Sequence, residues 1–588
     1  MWYLAMLVAM LLLTLQWTIS FVVLVGVGLA FQAILCPDKP NGRAAIHSLF
    51  WFGTVGSLCV LLIWNFWAPI RSMATLTLCG ISALGWITQR RTFEPSSGLL
   101  AQFSWRSTVV AVAACFVLSN QCTAFFNLYD SELYHVQMIR WIQTYAVPPG
   151  LANLDCRFGF NNLVFLIHSV FVNLSGQPGL PSFNGLLAIV TIVDSLWAID
   201  SWRSRTTTAN FATRFRALSF LPVVLLGALP RSGSYSINSS SLDVTLVFFT
   251  LAAFRELALA NTSDGKQLTF HMAVSGALFA ATSAFRPLAG ICLVCFCVSF
   301  ASWKSQSISP RISIGRFARC VLLPTMLLAL WAVRGVITSG YLVYPNKHLY
   351  FSVDWLVSRH QIDRLNETLL HFARHPQLTE PPLPTIWISQ WFQREFTNHM
   401  LCFTLPIAII VFSTIALVTC RASVGFAANA VLKLAVASGV LTLIAWWTLA
   451  PDPRYAFHVV LTLLVVFLAA LLQLGSHSKW YPRLSYVAAT ALVLMAIQSR
   501  VEFGIRYWGL SRCVQVLFIP PPNANGVYEL PTRETNEITN SFGLTISVPS
   551  TGDRVGDAPL PSAPFLPPQI RTRRPNDLSS GFQYVRQP

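Results

Sequence analysis

The sequence predicts an all-α polytopic membrane protein of roughly 14 spans, with extracytoplasmic loops and a mostly irregular C-terminal tail. Three observations predict it. Of 588 residues, 54% are hydrophobic and 11% charged, with a mean hydropathy of +0.56; a soluble domain carries roughly 25% charged residues. Apolar runs near the ~20 residues that cross a bilayer recur from the N-terminus to about Arg500. Basic residues gather in alternate short loops, as membrane orientation requires.

The opening run, Trp2–Leu35, has no basic leading segment and no small-residue cleavage site, so it reads as one long span or two short ones rather than a leader. Further spans are expected at His47–Ile70, Met73–Ile87, Ser107–Phe126, Gly185–Ile199, Ala217–Pro230, Leu242–Ala258 and His271–Phe285. The rest are Leu288–Ser302, Cys320–Ile337, Leu401–Val418, Asn429–Leu449, Phe457–Leu474 and Leu484–Gln498. One set of short loops carries Lys39, Arg43, Arg90, Arg91, Arg203, Arg205, Lys304, Arg311, Arg421, Lys479 and Arg483, and is assigned to the cytoplasm. The alternation requires Asn162–Leu174 to be interfacial or re-entrant.

This orientation divides the chain. Residues 1–126 hold the N-terminal spans, 127–183 the first extracytoplasmic loop, 184–338 the central spans and 339–400 the second outer loop. The C-terminal spans occupy 401–499, and an outer Pro/Asn/Ser-rich tail fills 500–588, with β-like runs at Val527–Leu530 and Leu544–Val548. Too poor in apolar residues for a large core, the tail is expected to lie over the outer loops.

The formal charge of +17 is spread over loops between spans, so it marks orientation and not a nucleic-acid partner. The 13 cysteines lack metal-ligand spacing and mostly sit in apolar runs, as small hydrophobes do. Cys122 and Cys156 are the pair able to meet outside the membrane.

Candidate chemistry concentrates in Asn127–Asn162. Asp130 and Glu132 open an amphipathic segment, Ser131–Tyr145, whose Tyr134, Met138, Trp141 and Tyr145 share one face; a helix on the membrane surface is expected. Asp130 reads either as a helix N-cap, with Glu132 favouring the positive helix end, or as a general base that takes a proton from an acceptor hydroxyl. His135 is the alternative base. The three as metal ligands form a sparse set, so no metal site is assigned, although a divalent cation is a candidate cofactor. Arg334, Lys347 and Arg454 are candidate ligands for a lipid phosphate; the bland reading of the arginines is snorkelling to headgroups. Asp452 with Arg454 fits an internal ion pair of a tight turn equally well. Arg140, Arg157, Asn161 and Tyr344 are supporting candidates. Arg286-Pro287 reads as a Pro-made turn with a snorkelling arginine, Asp194 either as a functional intramembrane acid or as one that only pairs with a nearby arginine, and Thr385–Phe396 as a further surface helix.

Tyr129-Asp-Ser-Glu-Leu-Tyr-His135 resembles the acidic mark of the GT-C superfamily of integral-membrane glycosyltransferases, found in their first large outer loop beside an interfacial helix. On that resemblance Asp130 matches the catalytic acid and Glu132 the second acidic position. More closely, the chain is similar to an uncharacterised bacterial group of polytopic GT-C-like membrane proteins. The matching segments are Tyr134-His135, Gly150–Leu154 with Arg157–Asn161, Ser339–Tyr341 with Tyr344-Pro345, Ala450–Tyr455, Asp557–Pro561 and Ser580–Phe582. The resemblance implies a GT-C-like fold in the bacterial inner membrane and sugar transfer, with inversion, on the extracytoplasmic face. The donor would be a polyprenyl-phosphate-linked sugar, and the acceptor a cell-envelope glycan, lipid or protein. It also implies that Val555 and Ser562 stand where relatives carry cysteines, so that this tail lacks their cross-link. Two rivals remain: a transporter or flippase of a lipid-linked or anionic solute, which wants midplane charges, and a non-catalytic envelope protein.

Overall fold

The opening apolar run forms one helix, α1 (Trp2–Leu35), of 34 residues. At 1.5 Å per residue it is ~51 Å long, well beyond the ~30 Å hydrocarbon core. Leu4, Val8, Leu11, Leu15, Ile19 and Val22 remain exposed along it at helical spacing, as a lipid-facing stripe. The opposite side packs on α2 (Ala44–Trp67) and α3 (Ser72–Gln89). Gly28 and Gly53 make the α1–α2 crossing close: a Cβ at Gly53 would sit 1.8 Å from the Leu24 carbonyl oxygen.

These helices belong to a computed structural model that describes residues 2–36, 44–89, 104–123, 129–175, 183–204, 210–228, 237–263, 265–306, 314–374, 384–419, 426–473 and 533–585, with the single positions 487, 490 and 494. The expected span Leu484–Gln498 and most of the basic loops that argue orientation lie outside the described residues.

After α4 (Trp105–Cys122), the first loop holds a π-helical turn at Ser131–His135, α5 (Val136–Thr144), 3-10 turns at Leu151–Asn153 and Cys156–Phe160, and α6 (Val164–Ser175). With 12 residues, α6 reaches only ~18 Å and cannot cross the bilayer, consistent with an interfacial or re-entrant segment. The central helices are α7 (Phe183–Ser204), α8 (Phe211–Leu218), α9 (Phe220–Ala228), α10 (Leu242–Ala260), α11 (Gly265–Phe285), α12 (Gly290–Gln306) and α13 (Ile314–Ser339). The expected span Ala217–Pro230 is instead broken between α8 and α9, where Pro222 can give no amide hydrogen to the Leu218 carbonyl. The second loop carries α14 (Arg359–Arg374) and α15 (Pro384–Asn398), followed by α16 (Leu405–Thr419), α17 (Phe426–Leu449) and α18 (Phe457–Gln473). From Phe457 to Leu472, α18 is buried throughout; it packs on α8, α10, α16 and α17 as the bundle's central post.

The described chain is therefore mostly helical. Among the described residues, seven helices are long and apolar enough to cross a membrane, within α1, α2, α7, α11, α13, α17 and the Met400–Thr419 helix that includes α16. α3, α4, α10, α12 and α18, expected as spans, are shorter or carry more charge.

The described part of the tail, residues 533–585, adds regular strand pairing to an otherwise irregular segment. It folds as two antiparallel hairpins, β1 (Thr535–Thr539) with β2 (Thr545–Pro549) and β3 (Ile570–Arg574) with β4 (Asp577–Tyr584). The run Leu544–Val548 falls on β2, whereas Val527–Leu530 lies outside the described residues. The second hairpin lies on both large loops: Phe582 N–H donates to the Pro149 carbonyl at 2.8 Å, and Arg573 pairs with Asp354 at 2.9 Å. Gly581, at φ +87°, permits that approach, because a Cβ there would meet the Pro149 oxygen at 2.0 Å. Val555 and Ser562 are both fully buried within the tail.

Candidate active site

Asp130 is already helical, at φ −63° and ψ −27°, and makes no capping hydrogen bond. The N-cap reading is thereby corrected: the carboxylate is turned away from its own helix. Its Oδ2 instead accepts from Arg454 Nη1 at 3.0 Å. The π-helical turn that follows widens the helix there, a geometry common at functional sites. Pro451 and Pro453 stiffen the opposing turn. Within it the Asp452 carboxylate accepts from the Arg454 backbone N–H at 3.0 Å and meets its Nε at 2.9 Å. Thus Arg454 bridges two carboxylates. Burial disfavours its charge, but Tyr455, Asp452, Asp130 and Asp243 outweigh that and hold its pKa well above the ordinary arginine value.

Tyr455 sits between two arginines. The Arg454 guanidinium lies 4.9 Å from its ring centroid and that of Arg286 4.4 Å. Arg286 is not a snorkelling residue: it turns inward and donates to Asp243 Oδ1 at 2.5 Å. Asp243 itself follows the N-cap Ser241 of α10. The site thus joins the first loop, the α10 and α11 ends and the α17–α18 turn. Asp243 and Tyr455 escape sequence reasoning as site residues, and Arg286 is misread by it; the one local signal is an acid in the first turn of an apolar helix, which also suits the helix dipole.

His135 is buried, with Nδ1 3.2 Å from Ser131 Oγ and 3.1 Å from Ser240 Oγ. Burial pushes its pKa down to about 4, against the opposing pull of Asp130 and Asp243. Between pH 6.5 and 4 the unfolded chain therefore holds a proton at this residue that the folded chain lacks, so this site favours unfolding as pH falls. Wild type is expected to lose more thermal stability between pH 7 and 5 than His135→Gln, read as the difference between their Tm-versus-pH curves. Parallel curves would show that His135 is not the titrating group.

The remaining candidates divide. Glu132 is buried and turned to the tail, where it meets Arg533 at 2.5 Å and Arg554 at 3.6 Å, while its carbonyl accepts from Gly556 N–H at 2.7 Å. Arg140 pairs with Asp557 and donates to the Ala558 carbonyl at 3.1 Å. Arg157 pairs with Asp155 at 3.4 Å. Asn161 adopts the left-handed conformation at φ 54°, and its Oδ1 accepts from Arg334 Nη1 at 2.6 Å. Arg334 itself is 1% exposed. Tyr344 is buried against Phe160, and Lys347 pairs with Asp363 at 2.7 Å, both half-exposed. Of the three candidate phosphate ligands, only Arg454 meets Asp130. Among the described residues no group of three or more His, Cys, Asp or Glu converges as metal ligands.

Glu132 therefore holds the tail on α5. Glu132→Ala is expected to raise tryptic cleavage after Arg533 and Arg554 roughly tenfold, because charged hydrogen bonds of ~1.5–3 kcal/mol are lost. Unchanged cleavage would mean that Arg140 and Gln137, whose side-chain amide donates to the Gly556 and Ala558 carbonyls at 3.0 Å, suffice to hold this part of the tail.

A second charged cluster lies deeper. Asp194 accepts from Arg216 at 2.7 Å and Arg255 at 2.8 Å, with His47 at 3.5 Å. Glu256 meets Arg255, Ser48 at 2.9 Å and His271 at 2.7 Å. The cluster ties α2, α7, α8, α10 and α11 together. Arg255 lies roughly 18 Å along α10 from Asp243, so the two clusters are separate.

No curated protein and no solved structure matches this sequence. One family model, described as a domain of unknown function, matches residues 10–461. That span includes Asp130, Asp243, Arg286 and Arg454 and stops short of the tail. With the match covering most of its length, the chain belongs to this family, DUF8201.

Proposed function

We propose that the protein is a membrane glycosyltransferase of GT-C-like architecture, moving a sugar from a polyprenyl-phosphate donor to a cell-envelope acceptor on the extracytoplasmic face. The observation that carries this reading is the Asp130–Arg454 pair. It brings an uncapped carboxylate, its side chain 26% exposed, against a buried cation from a turn 324 residues away.

In this mechanism Asp130 takes the proton from the acceptor hydroxyl as that oxygen attacks the anomeric carbon. The bond from that carbon to the phosphate oxygen breaks, polyprenyl phosphate leaves, and in-line displacement inverts the configuration. Arg454 holds Asp130 in place and supplies positive charge beside the phosphate, its Nη2 exchanging the Tyr455 hydroxyl, 3.1 Å away, for a phosphate oxygen. Glu132 is reassigned from second acid to tail anchor.

The test supplies purified protein in nanodiscs with sugar-labelled polyprenyl-phosphate hexoses and pentoses, together with an envelope extract as acceptor source. Labelled product with equimolar release of polyprenyl phosphate is expected from one donor. Equal release by wild type and Asp130→Asn would sink the proposal. Intramembrane charge favours a transporter reading, and the Asp194 cluster is such charge. Its carboxylates are nevertheless saturated by protein partners, which suits a clamp better than a moving solute.

A further inference from the structure

Arg334 lies near the end of α13, as deeply buried as the core residues around it. A guanidinium keeps its proton in proteins, so a full positive charge is enclosed here. Its one hydrogen bond among the described residues goes to a neutral group, Asn161 Oδ1, at 2.6 Å. Nε is shielded from solvent without a partner, and no described carboxylate pairs with the side chain. Arg255, Arg286 and Arg454, by contrast, each meet a carboxylate. A buried charge left unpaired is strongly destabilising.

Neither bland account of the residue holds. A snorkelling arginine reaches the surface, and this one does not. An arginine near a helix C-terminus can serve the last carbonyls, but those of α13 are taken by other donors. Gly340 N–H donates to the Val336 carbonyl at 2.8 Å, Gly150 N–H to that of Ile337 at 2.7 Å and Val357 N–H to that of Ser339 at 3.1 Å. The facing segment adds positive potential. Asn161 is locked onto α13, its Nδ2 donating to the Trp331 carbonyl at 2.7 Å and its own carbonyl accepting from Trp331 Nε1 at 3.1 Å. α6 starts three residues later, at Val164, so the positive end of its dipole belongs to the same segment. Between the two, Asn162 Nδ2 is also buried without a partner.

We infer that Arg334 and the Asn161–Val164 segment hold a monatomic anion, chloride, as the counterion of the buried guanidinium. The site is separate from the Asp130–Arg454 pair and independent of the transferase reading. Burial chooses the ligand: a lipid phosphate arrives from a surface that Arg334 does not reach, whereas a single ion needs room only for itself. Unused N–H donors of a guanidinium and a primary amide, with no competing carboxylate, suit an anion that only accepts hydrogen bonds. Bound there, chloride ties the first loop, which carries Asp130, to α13.

The test is thermal unfolding of the full chain in nanodiscs at constant ionic strength, with potassium gluconate exchanged stepwise for potassium chloride. Chloride at 100 times its dissociation constant is expected to raise Tm by about 2–4 °C along a saturating curve. Arg334→Gln should make the melting curves in the two salts superimpose. Lys347→Gln removes a surface cation instead and should keep the shift. Bromide soaked into crystals of the wild type should give an anomalous peak within hydrogen-bond reach of Arg334 Nε, a reading that stands even if Arg334→Gln does not fold. Four results would overturn the site: a wild type indifferent to chloride, a response that never saturates, an equal shift in Arg334→Gln, or bromide bound only elsewhere. Sugar transfer is no part of the readout, so failure here leaves the transferase reading where it stands.

Discussion

Asp130→Asn is expected to lower sugar transfer by about 10²- to 10⁴-fold, the usual span for loss of a general base, with the melting temperature nearly unchanged. Asparagine has the same shape, and its amide oxygen can still accept from Arg454 Nη1. The buried guanidinium also keeps Asp452. What is removed is the negative charge and with it the capacity to take a proton, a loss of about 3–5 kcal/mol of transition-state stabilisation at 1.36 kcal/mol per tenfold. Glu132→Gln supplies the comparison: it alters a tail contact and should leave the chemical step within a few-fold of wild type. Initial rates at saturating donor separate these effects. Transfer by Asp130→Asn at more than about a tenth of the wild-type rate would assign the proton to another group.

The helical, membrane-embedded character was legible because hydrophobic runs state it directly. The long opening run is one helix, and Thr385–Phe396 falls within α15 (Pro384–Asn398). The Asp452–Arg454 contact also followed from local spacing in a rigid turn. Partners were another matter. Asp130 meets Arg454 across 324 residues and Glu132 meets Arg533 across 401, and apolar periodicity carries no information about such pairings. The same limit hid the inward turn of Arg286 to Asp243. Periodicity also does not separate lipid-facing from buried apolar surface: α18 is buried on all sides, while α1 keeps a lipid-facing stripe. In α10, the apolar run concealed that Arg255 and Glu256 are built into a buried network.

That network supplies the second large effect. Asp194→Ala is expected to cost about 3–5 kcal/mol of stability, because it strands Arg216 without a carboxylate and leaves Arg255 with Glu256 alone. The decisive comparison replaces the charges together. If the cluster is only a clamp, then Asp194→Leu with Arg216→Met, Arg255→Met and Glu256→Leu should recover most of the loss, since well-packed apolar side chains often match a buried ion network. Thermal unfolding in nanodiscs reports stability, and the sugar-transfer rate is read on the same samples. A structural clamp predicts that both recover in the apolar variant. Recovered stability with lost turnover would instead give the charges a part in the working cycle, and would move the protein toward the transporter reading in which intramembrane charge acts on a solute. Each Asp194 oxygen already has a guanidinium partner, so the saturated geometry favours recovery of both.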